Sequence, residues 1–261
     1  MPTRRLIALV AAVAVLGLSL GVIVALATRD GPKVTPVAQD RPGPVLLVPG
    51  YGGSTASLTT LATRLVAAGR DAQVVALPGD GTGDLREQAR VLDAAARDAL
   101  ARTGAASVDV VGYSAGGVVA RLWVRSYGGG SLARRVVSLG SPQHGTKLAG
   151  LATVFARNSC PVACTQLAPN SDLLHELNSG DETPAGPQWV SLWTLDDETV
   201  TPPDSARLTG AVDLALQDIC AGVRIGHGEL PGNRLVQGIV LAELAGTPVI
   251  TPHSADCARL S

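Results

Sequence analysis

Ser114 lies in Gly112-Tyr113-Ser114-Ala115-Gly116-Gly117, directly after the strand-like stretch Val108-Asp109-Val110-Val111. A serine hydroxyl is a weak nucleophile. It does chemistry only beside a base that takes its proton and near donors that hold the oxyanion it creates. A G-x-S-x-G turn between a strand and a helix prepares such a site, because its glycines let the chain reverse within about one residue and hold the hydroxyl clear of the backbone. The base has to be a histidine, and the chain offers His144, His175, His227 and His253. Asp196, Asp197 and Glu198 follow an apolar run that ends near Thr194, so they are the candidates to orient that base. With the chain order serine, acid, histidine, His227 in Gly226-His227-Gly228 is the expected base, carried on a flexible loop. His144 suits binding or loop structure beside the site, His175 falls in an amphipathic segment, and His253 lies near the C-terminus in a solvated setting.

The oxyanion needs backbone donors. Pro49-Gly50-Tyr51-Gly52-Gly53 follows the first expected strand, and its glycines would let a substrate approach the main chain closely, so the N–H groups of Tyr51 and Ala115 are the candidates. Elements to carry these residues alternate along the chain. Strands are expected at 45–48, 72–77, 108–111 and 135–139, with helices at 57–68, 84–102 and 115–126 between them, which indicates a mainly parallel sheet covered on both faces. Asp84 and Glu87 read as a capping box at the start of the long helix. The alternation stops between 141 and 187, a stretch with two cysteines and several Pro, Gly and Asn residues that is expected to roof the site. It resumes with strands at 188–194 and 209–219 and a helix at 233–244.

Composition narrows the function classes. Of 261 residues 46% are apolar but only 3% aromatic, so the core is built from small aliphatic side chains. With 21 basic and 22 acidic residues and no run of like charge, nothing points to nucleic acid. Neither a dinucleotide fingerprint nor a P-loop lysine occurs, so no cofactor is implied. Residues 6–27 are apolar apart from Ser19 and follow Arg4 and Arg5, a membrane-targeting segment that reads either as a retained anchor or as a signal peptide cleaved after Ala25-Leu26-Ala27. The expected organisation is therefore an anchor or signal at 1–28, a Pro- and Gly-rich linker at 29–43, and a domain at 44–261 that works outside the cytoplasm as a monomer. Four cysteines behind such a segment suggest two disulfides. Cys160 with Cys164 and Cys220 with Cys257 is the favoured pairing of three, and the spacing gives no metal site.

The segments VLLVPGYGG, VDVVGYSAGG, VVSLGSPQHGT, CPVACTQLAPNSDLLHELN and LWTLDDETVTP, with the stretch 220–227, together resemble the secreted bacterial lipases of the α/β-hydrolase fold, including the small lidless type. The likeness runs from Pro44 to about Leu244. It departs at Pro49, where many of those enzymes carry histidine; the donor there is a backbone group, so little consequence is expected. The resemblance implies hydrolysis of lipid or other carboxylic esters by a Ser-Asp-His triad without a cofactor, and His227 matches the catalytic histidine. Alternate residues at a strand end point to opposite faces, so only one of Asp196 and Asp197 can meet the imidazole. Asp197 stands three residues before Val200 and five before Pro202, which matches the family's D-x-x-V-x-P spacing and selects it. An envelope acyltransferase using the same residues and a non-catalytic envelope protein on this fold are the alternatives.

Overall fold

The computed structural model describes residues 34–246 and 248–261, so the expected anchor or signal lies outside the described residues. Among those described, no helix is long and apolar enough to cross a membrane. The elements run β1 (Val45–Val48), α1 (Ala56–Ala67), β2 (Ala72–Val74), α2 (Leu85–Thr103), β3 (Val108–Tyr113), α3 (Ala115–Ser126), β4 (Ala133–Leu139), α4 (Lys147–Phe155), α5 (Val162–Gln166), α6 (Asp172–Asn178), β5 (Gln188–Trp193), β6 (Val212–Ala215), α7 (Leu216–Ile219), α8 (Arg234–Glu243) and α9 (Cys257–Leu260). The six strands form one parallel sheet in the order β2-β1-β3-β4-β5-β6. This is the architecture of the α/β-hydrolases.

Both faces of the sheet are buried, which explains why its strands read as continuous rather than alternating apolar runs. Val45, Leu47, Val111, Val137 and Val190 pack with Leu58, Leu61 and Leu65 of α1 and Val236, Ile239 and Val240 of α8. Leu46, Val48, Val110 and Val136 face the other way, against Leu85, Ala89 and Leu92 of α2 and Val118, Val119 and Leu122 of α3. The N-terminal end of the sheet is closed by charge instead. Asp109 is fully buried and accepts from Arg134 Nε at 2.8 Å and Nη2 at 2.6 Å, and from Arg70 Nη2 at 2.7 Å. Two forked guanidinium donors on one carboxylate satisfy a charge that would be costly if left alone. Arg134 Nη1 also donates to Gln39 O at 3.0 Å, which pins the stretch before β1.

Local details depart from the sequence reading in several places, the expected strand 72–77 among them, which spans only Ala72–Val74. Asp84 caps α2 by accepting from Arg86 N at 2.8 Å, while Glu87 pairs with Arg90 one turn on, so no capping box forms. The expected strand 209–219 is only Val212–Ala215 and then turns into α7, because an apolar run of this length satisfies a short buried strand or a helical turn equally well. The stretch 141–187 is more regular than expected and holds α4, α5 and α6. Disulfides join Cys160 to Cys164 and Cys220 to Cys257. The second ties the end of α7 to α9 across a separation of 37 residues, where loop-closure entropy predicts roughly 4 kcal/mol, against roughly 2 kcal/mol for the first at a separation of 4.

Candidate active site

The candidate side chains gather at the C-terminal end of the strands, the edge at which open parallel sheets take their ligands. β3 ends at Tyr113 and α3 starts at Ala115, which leaves Ser114 alone to make the reversal. Its φ of 52° and ψ of -125° make it the one non-glycine residue with positive φ among those described. Such a conformation is held only where the surroundings over-determine it, and strain of this kind gathers at functional sites. Gly116 supplies much of that constraint: a Cβ there would stand 2.2 Å from Val48 O and 2.6 Å from Pro49 O. Only a bare backbone lets α3 run this close to the end of β1.

His227 follows β6 and α7 on a short helical turn and is 6% exposed. Its Nε2 lies 3.0 Å from Ser114 Oγ and its Nδ1 2.7 Å from Asp197 Oδ2. Asp197 follows β5 and is 5% exposed. Its other oxygen accepts from Thr199 N at 2.9 Å and Val200 N at 2.7 Å, so both oxygens are engaged and the carboxylate cannot turn away from the ring. Gly140, at φ 53°, leaves the space for this pair, since a Cβ there would meet Asp197 Oδ2 at 3.2 Å and Leu230 Cδ1 at 2.5 Å. Asp196 points elsewhere, bonded to Arg224 Nη1 at 2.7 Å and Gln217 Nε2 at 3.0 Å. The Arg224 hydrogen bond holds its carboxyl below the usual range.

Two further residues touch His227: Glu198, one of the three carboxylates considered for orienting the base, and Tyr113, which carried no assignment from sequence. Tyr113 donates from its hydroxyl to His227 O at 3.2 Å, and its ring lies 5.2 Å from the imidazole. Burial, with the charges of Asp197 and Glu198 adding to it, pushes the phenol up to about 12, so the hydroxyl stays a donor. Glu198 accepts from His227 N at 3.3 Å. The only sequence signals were positional: Tyr113 is the variable residue of the serine turn, and Glu198 is the third carboxylate of the run after β5. The remaining histidines stay apart. His144 Nε2 lies 2.9 Å from Glu182 Oε1, His175 is exposed on α6, and His253 Nδ1 lies 3.0 Å from Asp256 Oδ2.

A half-open cavity of about 290 Å³ begins at Ser114 and Tyr51 and runs under α4 and α5, lined mainly by apolar atoms. Among the described residues the amide N–H groups of Tyr51 and Ala115 have no protein acceptor. Leu148, which lines the cavity, Leu151, Val154 and Phe155 of α4, and Val162 of α5 are all more than half exposed. No group of His, Cys, Asp and Glu among the described residues could hold a metal ion.

Residues 98–213 match the family model described as Lipase (class 2). No curated protein sequence matches the chain. Among solved structures, the fold is similar to that of Aspergillus fumigatus lipase B, at 20% identity and a TM-score of 0.65 over 79% of this chain and 54% of that one. It is also similar to Bacillus licheniformis lipase BlEst2 in mature form, at 18% identity and a TM-score of 0.66 over 82% and 96%. A third similar structure comes from the metagenome-derived lipolytic enzymes LipS and LipT, at 16% identity and a TM-score of 0.60 over 82% and 98%. The chain spans about half the length of the Aspergillus lipase chain. The fold is that of the α/β-hydrolases, and the stretch that includes Ser114 and Asp197 is similar to the class 2 lipases.

Proposed function

We propose that the protein is a carboxylic ester hydrolase that works through an acyl-enzyme on Ser114. The observation that carries this reading is the unbroken hydrogen-bonded line from Asp197 through His227 to Ser114 Oγ, opening into an apolar cavity. As the Oγ attacks the ester carbonyl, its proton passes to His227 Nε2, and Asp197 fixes the tautomer and stabilises the imidazolium. The oxyanion is taken by the free N–H groups of Tyr51 and Ala115, each worth roughly 3 kcal/mol in the transition state. His227 then returns the proton to the leaving alcohol, and a water activated by the same histidine releases the acid. Tyr113 and Glu198 act as positioning residues for the histidine backbone.

The apolar cavity and the exposed apolar side chains of α4 and α5 support an ester of a lipid-like acid. The two disulfides support folding outside the cytoplasm, where the N-terminal segment would deliver the protein as an anchored or released monomer. A fluorophosphonate probe should label Ser114 stoichiometrically, and Ser114→Ala should lose labelling together with about a million-fold of turnover on p-nitrophenyl butanoate. A Ser114→Ala protein that keeps near-normal turnover, or a wild-type protein that neither labels nor hydrolyses, sinks the reading.

A further inference from the structure

The cavity beside Ser114 is walled along one side by a single helix face, that of α4. At about 100° per residue, α4 turns two different stripes outward. Leu148, Leu151 and Phe155 form the exposed apolar stripe, while Ala149 and Ala152, one turn apart, face the cavity, with Leu148 at the junction. Both positions hold the smallest apolar side chain, so the cavity exists where larger residues on this face would fill it.

The opposite wall, which includes Cys164 and Leu167, is fixed rather than soft. The Cys160–Cys164 bridge fastens α5 to the segment before it. Gln166 accepts from Leu85 N at 2.8 Å and donates to Asp84 Oδ1 at 2.7 Å, and Ala163 N donates to Thr82 O at 3.1 Å. A wall anchored at these points to the start of α2 does not swell to take a longer chain. At roughly 30 Å³ for a water-sized group, about 290 Å³ holds on the order of ten carbons.

We propose that Ala152 is the length gauge of an acyl-chain chamber suited to esters of medium-chain acids, about eight to ten carbons. This rests on the ester-hydrolase reading of Ser114. A leucine at 152 adds three carbons to the wall, roughly 90 Å³ by the same measure, and so removes about a third of the chamber. Each methylene lost from the buried part of the chain is worth roughly fourfold in binding.

The test is a series of p-nitrophenyl esters from C4 to C16, read as kcat/KM on wild type, Ala152→Leu and Leu148→Ala. Wild type should rise with chain length up to about C8 to C10 and then level off. In Ala152→Leu the ratio of butanoate to decanoate kcat/KM should rise at least tenfold, and Leu148→Ala, which opens the chamber, should move the optimum to longer chains. Ala152→Val, with a smaller shift in the same direction, serves if the leucine variant does not fold. A wild-type profile that keeps rising to C16, or ratios unchanged within twofold in the folded variants, overturns the gauge while leaving the hydrolase reading intact. Absence of both labelling and hydrolysis in wild type overturns the two together.

Discussion

The floor of the site and its roof are built on different principles. On the floor, backbone meets backbone: α3 passes so close to the end of β1 that a single methyl at Gly116 would fall 2.2 Å from Val48 O. In the roof, α4 to α6 are short, α4 leaves several apolar side chains in solvent, and the ties are made by side chains such as Gln166 and Asp84 or by the Cys160–Cys164 bridge. The contrast separates two requirements. Ser114 sits where steric exclusion leaves the backbone no room to shift, whereas the roof is held by side-chain contacts that can be replaced one at a time.

The sharpest way to break this contrast lies within the floor, between adjacent carboxylates. Asp197→Asn should lower kcat by about ten-thousandfold, because the amide cannot hold the required tautomer, whereas Asp196→Asn should stay near wild type. The reverse ranking would mean that the exposed Arg224 pair, rather than the buried histidine pair, serves the chemistry. One substitution made in both regions comes next. Gly116→Ala should cost about 3 kcal/mol in urea unfolding, the overpacking range for a backbone that cannot yield. Gly150→Ala, within α4, places its methyl 3.3 Å from Pro169 Cδ and gains helix propensity, so it should change stability by less than about 1 kcal/mol. Equal effects at the two sites would remove the distinction.

The smallest effect is expected at the N-terminal end of the floor. Glu243 is fully buried near Arg135, and burial raises its carboxyl from 4.5 to about 7. The folded state favours the neutral acid, so the favourable contribution is complete below pH 4.5 and is lost as pH rises through about 7. Glu243→Gln should therefore match wild type near pH 4.5 and exceed it by on the order of 2 kcal/mol at pH 8. Parallel stability curves across that window would show that Glu243 ionises freely in the fold.

Much of the floor was legible because each of its constraints leaves a residue type behind. The glycines flanking Ser114, the valine- and leucine-rich stretches at β1, β3 and β4, and the D-x-x-V-x-P spacing after β5 all encode backbone geometry, and local geometry is what a sequence records best. The sheet order and the C-terminal placement of Ser114, Asp197 and His227 follow from parallel strands. The roof was hard to read for the converse reason: α4 exposes its leucines while Ala149 is its one buried residue, inverting the amphipathic signal by which surface helices are found. The end of β6 failed because Leu214, Leu216 and Ile219 are all buried, and their spacing fits neither period over so few residues. Tyr113 was visible as a residue but not as a partner, since its contact with His227 spans 114 positions.

Arg121 links the two regions. It sits on α3, the helix whose first turn follows Ser114, and is fully buried. Its guanidinium donates to Glu182 O at 2.6 Å, Asn178 Oδ1 at 2.7 Å and Leu177 O at 2.7 Å, and Arg125 one turn later donates to Ser179 O at 2.6 Å and Asp181 O at 2.9 Å. The helix that begins beside Ser114 thus grips the C-terminus of α6 with its middle. In mechanical terms, α3 is a clamped rod, and the far edge of the roof has no freedom to pivot against it. The roof is thus held at two places, at α6 by the helix that begins beside Ser114 and at α5 by the start of α2, so the two ends of the site share one frame.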